Sequence, residues 1–308
     1  MKTLTQFDNL LDLVRSYPTE RSCVEALELL RWPDGVVSPY DSSAKVYNYG
    51  NGRYRCANTK KDFNVRTGTM FHASRVSLQN WFVAIWLLTS DKKGISSYCL
   101  AKHLNVTQPT AWFMLQRIRN CYGTSNEKLS GEVELDETFV GGKNKNRHRN
   151  KKVPKCQGRS FKDKTPVLGM LERGGQVRAF VVPNTGAYAM TIPIFKNISK
   201  FTKLYTDEWG GYRIIRQQSI YYSHAQVDHG KGQYVDGNAT TNSIEGFWSI
   251  LKRGIIGVYH RTSRKHLQLY VNEYVFRYNT RNDSNMDRFY ALLQSAGRRL
   301  SYSTLTNG

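Results

Sequence analysis

The chain has 308 residues, 40% hydrophobic and 12% aromatic, enough apolar material for one large core or two to three modest domains. Its 45 Lys and Arg against 24 Asp and Glu give a formal charge of +21; this excess suits a polyanion such as nucleic acid, because neutralised phosphates release condensed counterions. Five cysteines with no C-x2-C pair speak against a secreted disulfide framework, and the longest apolar run, Trp81 to Leu88, is too short to span a bilayer. The N-terminal stretch is amphipathic and carries acids, unlike a signal or transit peptide. A soluble, thiol-reduced intracellular protein with no membrane partner is expected.

Residues 1–32 read as helical, with apolar positions at Phe7, Leu10, Leu11 and Val14, then Val24, Leu27 and Leu30. Residues 33–70 change texture: Pro33, Gly35, Pro39, Gly50 and Gly52 punctuate short Tyr- and Val-bearing pieces, the pattern of a small β-rich module. Residues 71–125 turn helical again and contain a helix-turn-helix pattern. One helix runs from Ser96 to Leu104, Asn105 and Val106 form the turn, and a second helix is capped by Thr107 with Pro109 in its first turn. In a major groove the second helix would bring Gln108, Thr110 and Gln116 to base edges, with Arg117 as a further DNA contact. The plainer alternative is a bundle element without groove contact.

Residues 130–285 carry the chemistry. β-type runs appear at GEVELDETFVGG, TPVLGMLERGG, QVRAFVVPN and KLYTDEW, with a helical segment around Tyr188 to Lys200 before the last, which predicts an α/β domain with a mixed sheet. Asp136 lies inside the first strand, Asp207 just after a later one, and Glu245 in a helix from Thr241 to Lys252. An unpartnered carboxylate in an apolar strand is costly to bury, so Asp136 calls for a partner or a metal. Three carboxylates from separate elements suit two-metal phosphoryl transfer, in which ions roughly 4 Å apart serve the attacking and leaving oxygens. Asn242, Glu245, Trp248 and Lys252 share one helix face, while Ile244, Phe247 and Leu251 form an apolar stripe. The alternative makes Trp248 a core residue and Lys252 an exposed partner for an acid.

Between Gly141 and Lys164 stand ten Lys or Arg against one acid. Within this basic insertion (141–164), Lys143, Lys145, Arg147, Arg149, Lys151 and Lys152 would grip a DNA backbone; a solvated loop is the alternative. Residues 286–308 read as a C-terminal tail.

The strings VELDETFVGGK, YTDEWGGY, TNSIEGFWSILKRGIIGVYH and HLQLYVNEYVFRYNTR resemble the DDE transposases of bacterial insertion sequences related to Merlin transposons. RWPDG and DFNVRTGTMFHASRVSLQNWFVAIWLL extend the resemblance over nearly the whole chain. It implies an RNase H-like catalytic domain in which Asp136, Asp207 and Glu245 hold two Mg²⁺ ions, replaceable by Mn²⁺, with Asn242 as an alternative third ligand. Lys252, Lys143 and Arg253 would position phosphates. The implied partners are the terminal inverted repeats, target DNA and at least one further copy of the chain. The implied location is the bacterial cytoplasm at the nucleoid, or the nucleus of a eukaryotic host. Relatives carry a zinc ribbon, but here its four ligand positions hold Ser38, Asp41, Cys56 and Thr59, so a degenerate ribbon without zinc is expected. Tyr47, Tyr49, Tyr54 and Phe63 would form its core, and Arg53, Arg55, Lys60, Lys61 and Arg66 would reach DNA. Two rivals stay open: an inactive DNA-binding regulator, and a nuclease that cuts without joining.

Overall fold

A computed structural model describes residues 4–123, 127–142, 144–154, 160, 162–207, 209–217, 221–226 and 241–307. The fold is mixed α/β, divided into two units: residues 1–123 with 282–308, and residues 124–281.

In the first unit, side-chain caps start each of the early helices. Asn9 caps α1 (Leu10–Ser16), and Thr19 and Ser22 form a capping box on α2 (Glu20–Arg31). An antiparallel sheet follows, made of β1 (Val46–Asn48), β2 (Tyr54–Cys56) and β3 (Asp62–Phe63). Its core differs from the expectation: Tyr54 and Phe63 are buried, but Tyr47 and Tyr49 are exposed. The reason is that Trp32, arriving from the end of α2, packs edge-on against Tyr54 and Phe63 and fills the space. Hydrogen bonds from Ser38 and then Thr59 hold the Cys56 thiol down at about 7, so three of the four ribbon positions meet as one hydrogen-bonded group.

Helix α3 (Leu78–Ser90) is capped by Ser77 and α4 (Ser97–Leu104) by Ser96; Asn105 turns the chain in the left-handed region, and Thr107 caps α5 (Gln108–Cys121). Two of the expected DNA contacts on α5 are corrected. Gln116 is fully buried and Arg117 is 8% exposed; the Arg117 guanidinium donates to the Met70 carbonyl at 3.1 Å and lies over the Phe113 ring. A side chain so placed cannot reach a base edge.

The second unit is built on β4 (Glu132–Val140), β5 (Thr165–Glu172), β6 (Val177–Val181), α6 (Ala187–Asn197), β7 (Thr202–Thr206), α7 (Arg213–Gln217), β8 (Tyr222–Gln226), α8 (Asn242–Gly254) and α9 (Leu267–Asn279). The five strands run in the order β6-β5-β4-β7-β8. β4–β5 and β5–β6 are antiparallel, whereas β4–β7 and β7–β8 are parallel. Side chains alternate across the sheet. Val133, Leu135, Leu168 and Met170 join α6 residues on one side, while Val167, Leu171 and Ala179 pack with α8 and α9 on the other. The polar edge strand β8 has no counterpart in the runs read from sequence.

The chain then returns to the first unit, where α10 (Asn285–Gln294) and α11 (Tyr302–Asn307) replace the expected tail. Phe289 packs edge-on against Phe7 and Phe82, the hydroxyls of Tyr17 and Tyr290 meet at 2.7 Å, and the Met70 N–H donates to the Ala296 carbonyl. Among the described residues no helix is long and apolar enough to cross a membrane.

Gly254, in the last turn of α8, lies where a Cβ would fall 1.6 Å from the Tyr274 hydroxyl of α9. Gly254→Ala is expected to destabilise the second unit by about 2–3 kcal/mol, measured by denaturant unfolding.

Candidate active site

Parallel pairing brings the first two acids together. Val133 is level with Leu204 and Glu134 with Tyr205; continued two residues further, that register sets Asp136 on β4 beside Asp207, which follows the end of β7. Asp207 is 8% exposed, and its carboxylate accepts from the Trp209 N–H at 3.0 Å.

The third acid comes from α8. Ile244, Phe247 and Leu251, at helical spacing, are buried against the sheet, which leaves Glu245 exposed on the adjoining face. The Thr241 hydroxyl donates to Glu245 Oε1 at 3.4 Å. Trp248 serves both readings of its role: its ring is buried in the core, and its indole N–H donates to Asp136 Oδ2 at 2.8 Å. That approach depends on Gly169, which pairs with Asp136 across β4–β5; a Cβ there would fall 2.5 Å from the Trp248 ring.

These residues line a cleft of about 510 Å³ that holds Asp136, Asp207 and Glu245 together with Thr241, Trp248, Ser249, Lys252 and Lys164. Burial first, then the charge of Asp207, pushes the Asp136 carboxyl up to about 6; Glu245 adds to the rise and the Trp248 hydrogen bond opposes it. Burial likewise raises Tyr212, followed by the charges of Glu137, Asp136 and Asp207; its hydroxyl donates to Glu137 at 3.0 Å. Among the described residues, no group of three or more His, Cys, Asp or Glu side chains stands close enough to hold a metal ion. The donor chemistry nevertheless fits a hard divalent cation: all three groups are carboxylates lining one cleft.

The remaining expected residues are distributed as follows. Asn242 and Arg253 are exposed at the two ends of α8, with Lys252 beside the cleft. Gln108 and Thr110 are half-buried at the start of α5, where the Gln108 amide donates to Ser97 Oγ at 2.8 Å and Thr110 contacts the Thr107 hydroxyl. Lys145, Arg149 and Lys152 are exposed, and Arg147 donates to the Asp163 carbonyl. Lys143 and the side chain of Lys151 lie outside the described residues. Sequence reasoning passed over Lys164 in the cleft, Gly169 beneath Trp248, and Glu134. The last is two residues before Asp136, hence on the same face of β4, a signal that was available.

Residues 128–279 match the family described as ISXO2-like transposase domain. The chain is also 26% identical over 295 residues to a protein of Halobacterium salinarum described as an uncharacterized protein in transposable element ISH50, an alignment covering 92% of this chain and 99% of the relative.

Two outcomes follow from the geometry. Gly169→Ala should shift the Trp248 indole N–H resonance and lower stability by about 1–3 kcal/mol, read by NMR and thermal melting. A carboxyl raised to about 6 favours the metal-free fold below its unfolded value near 3.8, and that contribution is lost as pH rises through 6. Asp136→Asn should therefore flatten the decline in melting temperature between pH 4 and 7, and leave the metal-free protein about 1–3 kcal/mol more stable at pH 7.

Proposed function

We propose that this chain, which belongs to the DDE transposases of insertion sequences, binds the terminal inverted repeats of its element, cuts DNA at the element ends and joins the freed 3′-hydroxyl to target DNA. The observation that carries this reading is that Asp136, Asp207, Glu245 and Lys252 line one cleft. The strand order and directions support an RNase H-like assignment for the second unit.

Asp136, Asp207 and Glu245 would hold two Mg²⁺ ions, with Mn²⁺ able to replace them, and bound ions supply activation of the attacking oxygen and stabilisation of the leaving one. The chain's own part is placement. Trp248 fixes one Asp136 oxygen, the Trp209 N–H fixes one Asp207 oxygen, and Thr241 steadies Glu245. Lys252 and Lys164 bring ammonium groups to the cleft, where they balance the charge of an incoming phosphodiester without reading sequence. Arg253, Lys145, Arg149 and Lys152 extend the cationic surface along the backbone. In the first unit, α4 and α5 act as the helix-turn-helix, with Gln108 and Thr110 toward the bases. Two ends require two active sites, and a dimer supplies them.

Protein incubated with a labelled element end, Mg²⁺ and plasmid should yield both cleaved ends and end-to-plasmid joints. Alanine at Asp136, Asp207 or Glu245 should lower both by at least about a thousandfold while end binding in a gel shift persists. Cleavage without joints would make the chain a nuclease, and binding without either would make it a regulator.

A further inference from the structure

Glu134 is a fully buried carboxylate on the strand that carries Asp136. Burial of such a group demands charged and hydrogen-bonding partners, and the partners here are specific. Arg173 Nε donates to Glu134 Oε1 at 3.0 Å, and the backbone N–H of Ile244 donates to Glu134 Oε2 at 3.0 Å. Ile244 is the third residue of α8, whose first-turn N–H groups have no partner within the helix, and Thr241 provides no side-chain cap. The cap comes instead from a strand 110 residues away in sequence. Arg173 is itself held by Glu132 at 3.0 Å and lies over the Tyr205 ring of β7 at 3.9 Å. One chain of contacts thus ties β7 and β4 to the first turn of α8, immediately before Glu245 and one turn before Trp248.

We propose that Glu134 is a positioning residue for the carboxylate site: its charge, seated at the positive end of α8, sets the rotation of that helix so that Glu245 and Trp248 face Asp136. The proposal rests on the metal-dependent reading of that site and adds to it a residue outside the acid trio.

Glu134→Gln keeps the size and one acceptor oxygen but removes the charge; Glu134→Ala removes the cap. Three quantities are compared with the unaltered full-length chain: Mn²⁺ affinity by calorimetry without DNA, the Mg²⁺ concentration giving half-maximal end cleavage, and the position of the Trp248 indole N–H resonance. In Glu134→Gln the indole resonance should move, Mn²⁺ affinity should fall about 10–100-fold, and the Mg²⁺ requirement should rise in step, with end binding unchanged. A lower melting temperature with all three quantities unmoved would overturn the proposal, since purely structural support has that signature. Should the alanine variant fail to fold, the glutamine variant decides alone. If the unaltered chain neither binds Mn²⁺ nor cuts DNA, the metal reading fails by itself: a moved resonance then still supports the helix-setting role of Glu134, and an unmoved one rejects it.

Discussion

The missing side chain of Gly169 is the constraint on which the site depends. Helix α8 lies against the sheet so closely that the Trp248 ring and Ile244 occupy the space any Cβ at position 169 would need. A strand glycine ordinarily weakens a sheet by giving up packing and backbone rigidity. Here the loss is offset by the apolar surface that α8 buries against β4 and β5 and by an indole hydrogen bond to Asp136. Gly254 repeats the device at the other end of the helix, against Tyr274. A helix held at both ends by close contacts has little freedom to slide, and side chains on its exposed face inherit that precision.

The cleft sets electrostatic comfort against chemical readiness. Asp136 and Asp207 are brought together by strand register and desolvated by the α8 core, which raises Asp136. A protein selected for stability alone would dilute that charge or pair it internally. This unit instead places cations nearby, Lys252 and Lys164, and leaves the acids crowded.

Much of this arrangement was legible in the sequence, for identifiable reasons. Asp136 stood out because an acid in an apolar strand has few bland explanations, and the α8 stripe of Ile244, Phe247 and Leu251 predicted a buried face with Glu245 beside it. Both signals are local. What escaped were features set by distant partners. Glu134 shares the face of Asp136, yet nothing nearby announces Arg173 or the first turn of α8 as its neighbours. Gln116 and Arg117 read as surface groups because polar residues usually are; both are buried, and Arg117 is held by the Met70 carbonyl, 47 residues away in sequence. The strand β8 offers Ser223, His224 and Gln226 in place of an apolar alternation, as suits an edge paired on one side only. Tyr47 and Tyr49 lost their expected place to Trp32, a competition that propensity does not reveal.

The second unit interrupts the first, whose closing helices are supplied by residues 282–308. The order of synthesis therefore runs against the order of completion. When residue 281 has been made, the sheet and all three acids are present, while Phe7, Tyr17 and Phe82 still lack Phe289 and Tyr290. The first unit closes its aromatic core only when residues 282–308 emerge. A product stopped at residue 281 would carry the sheet but lack the aromatic contacts that residues 282–308 bring to the first unit.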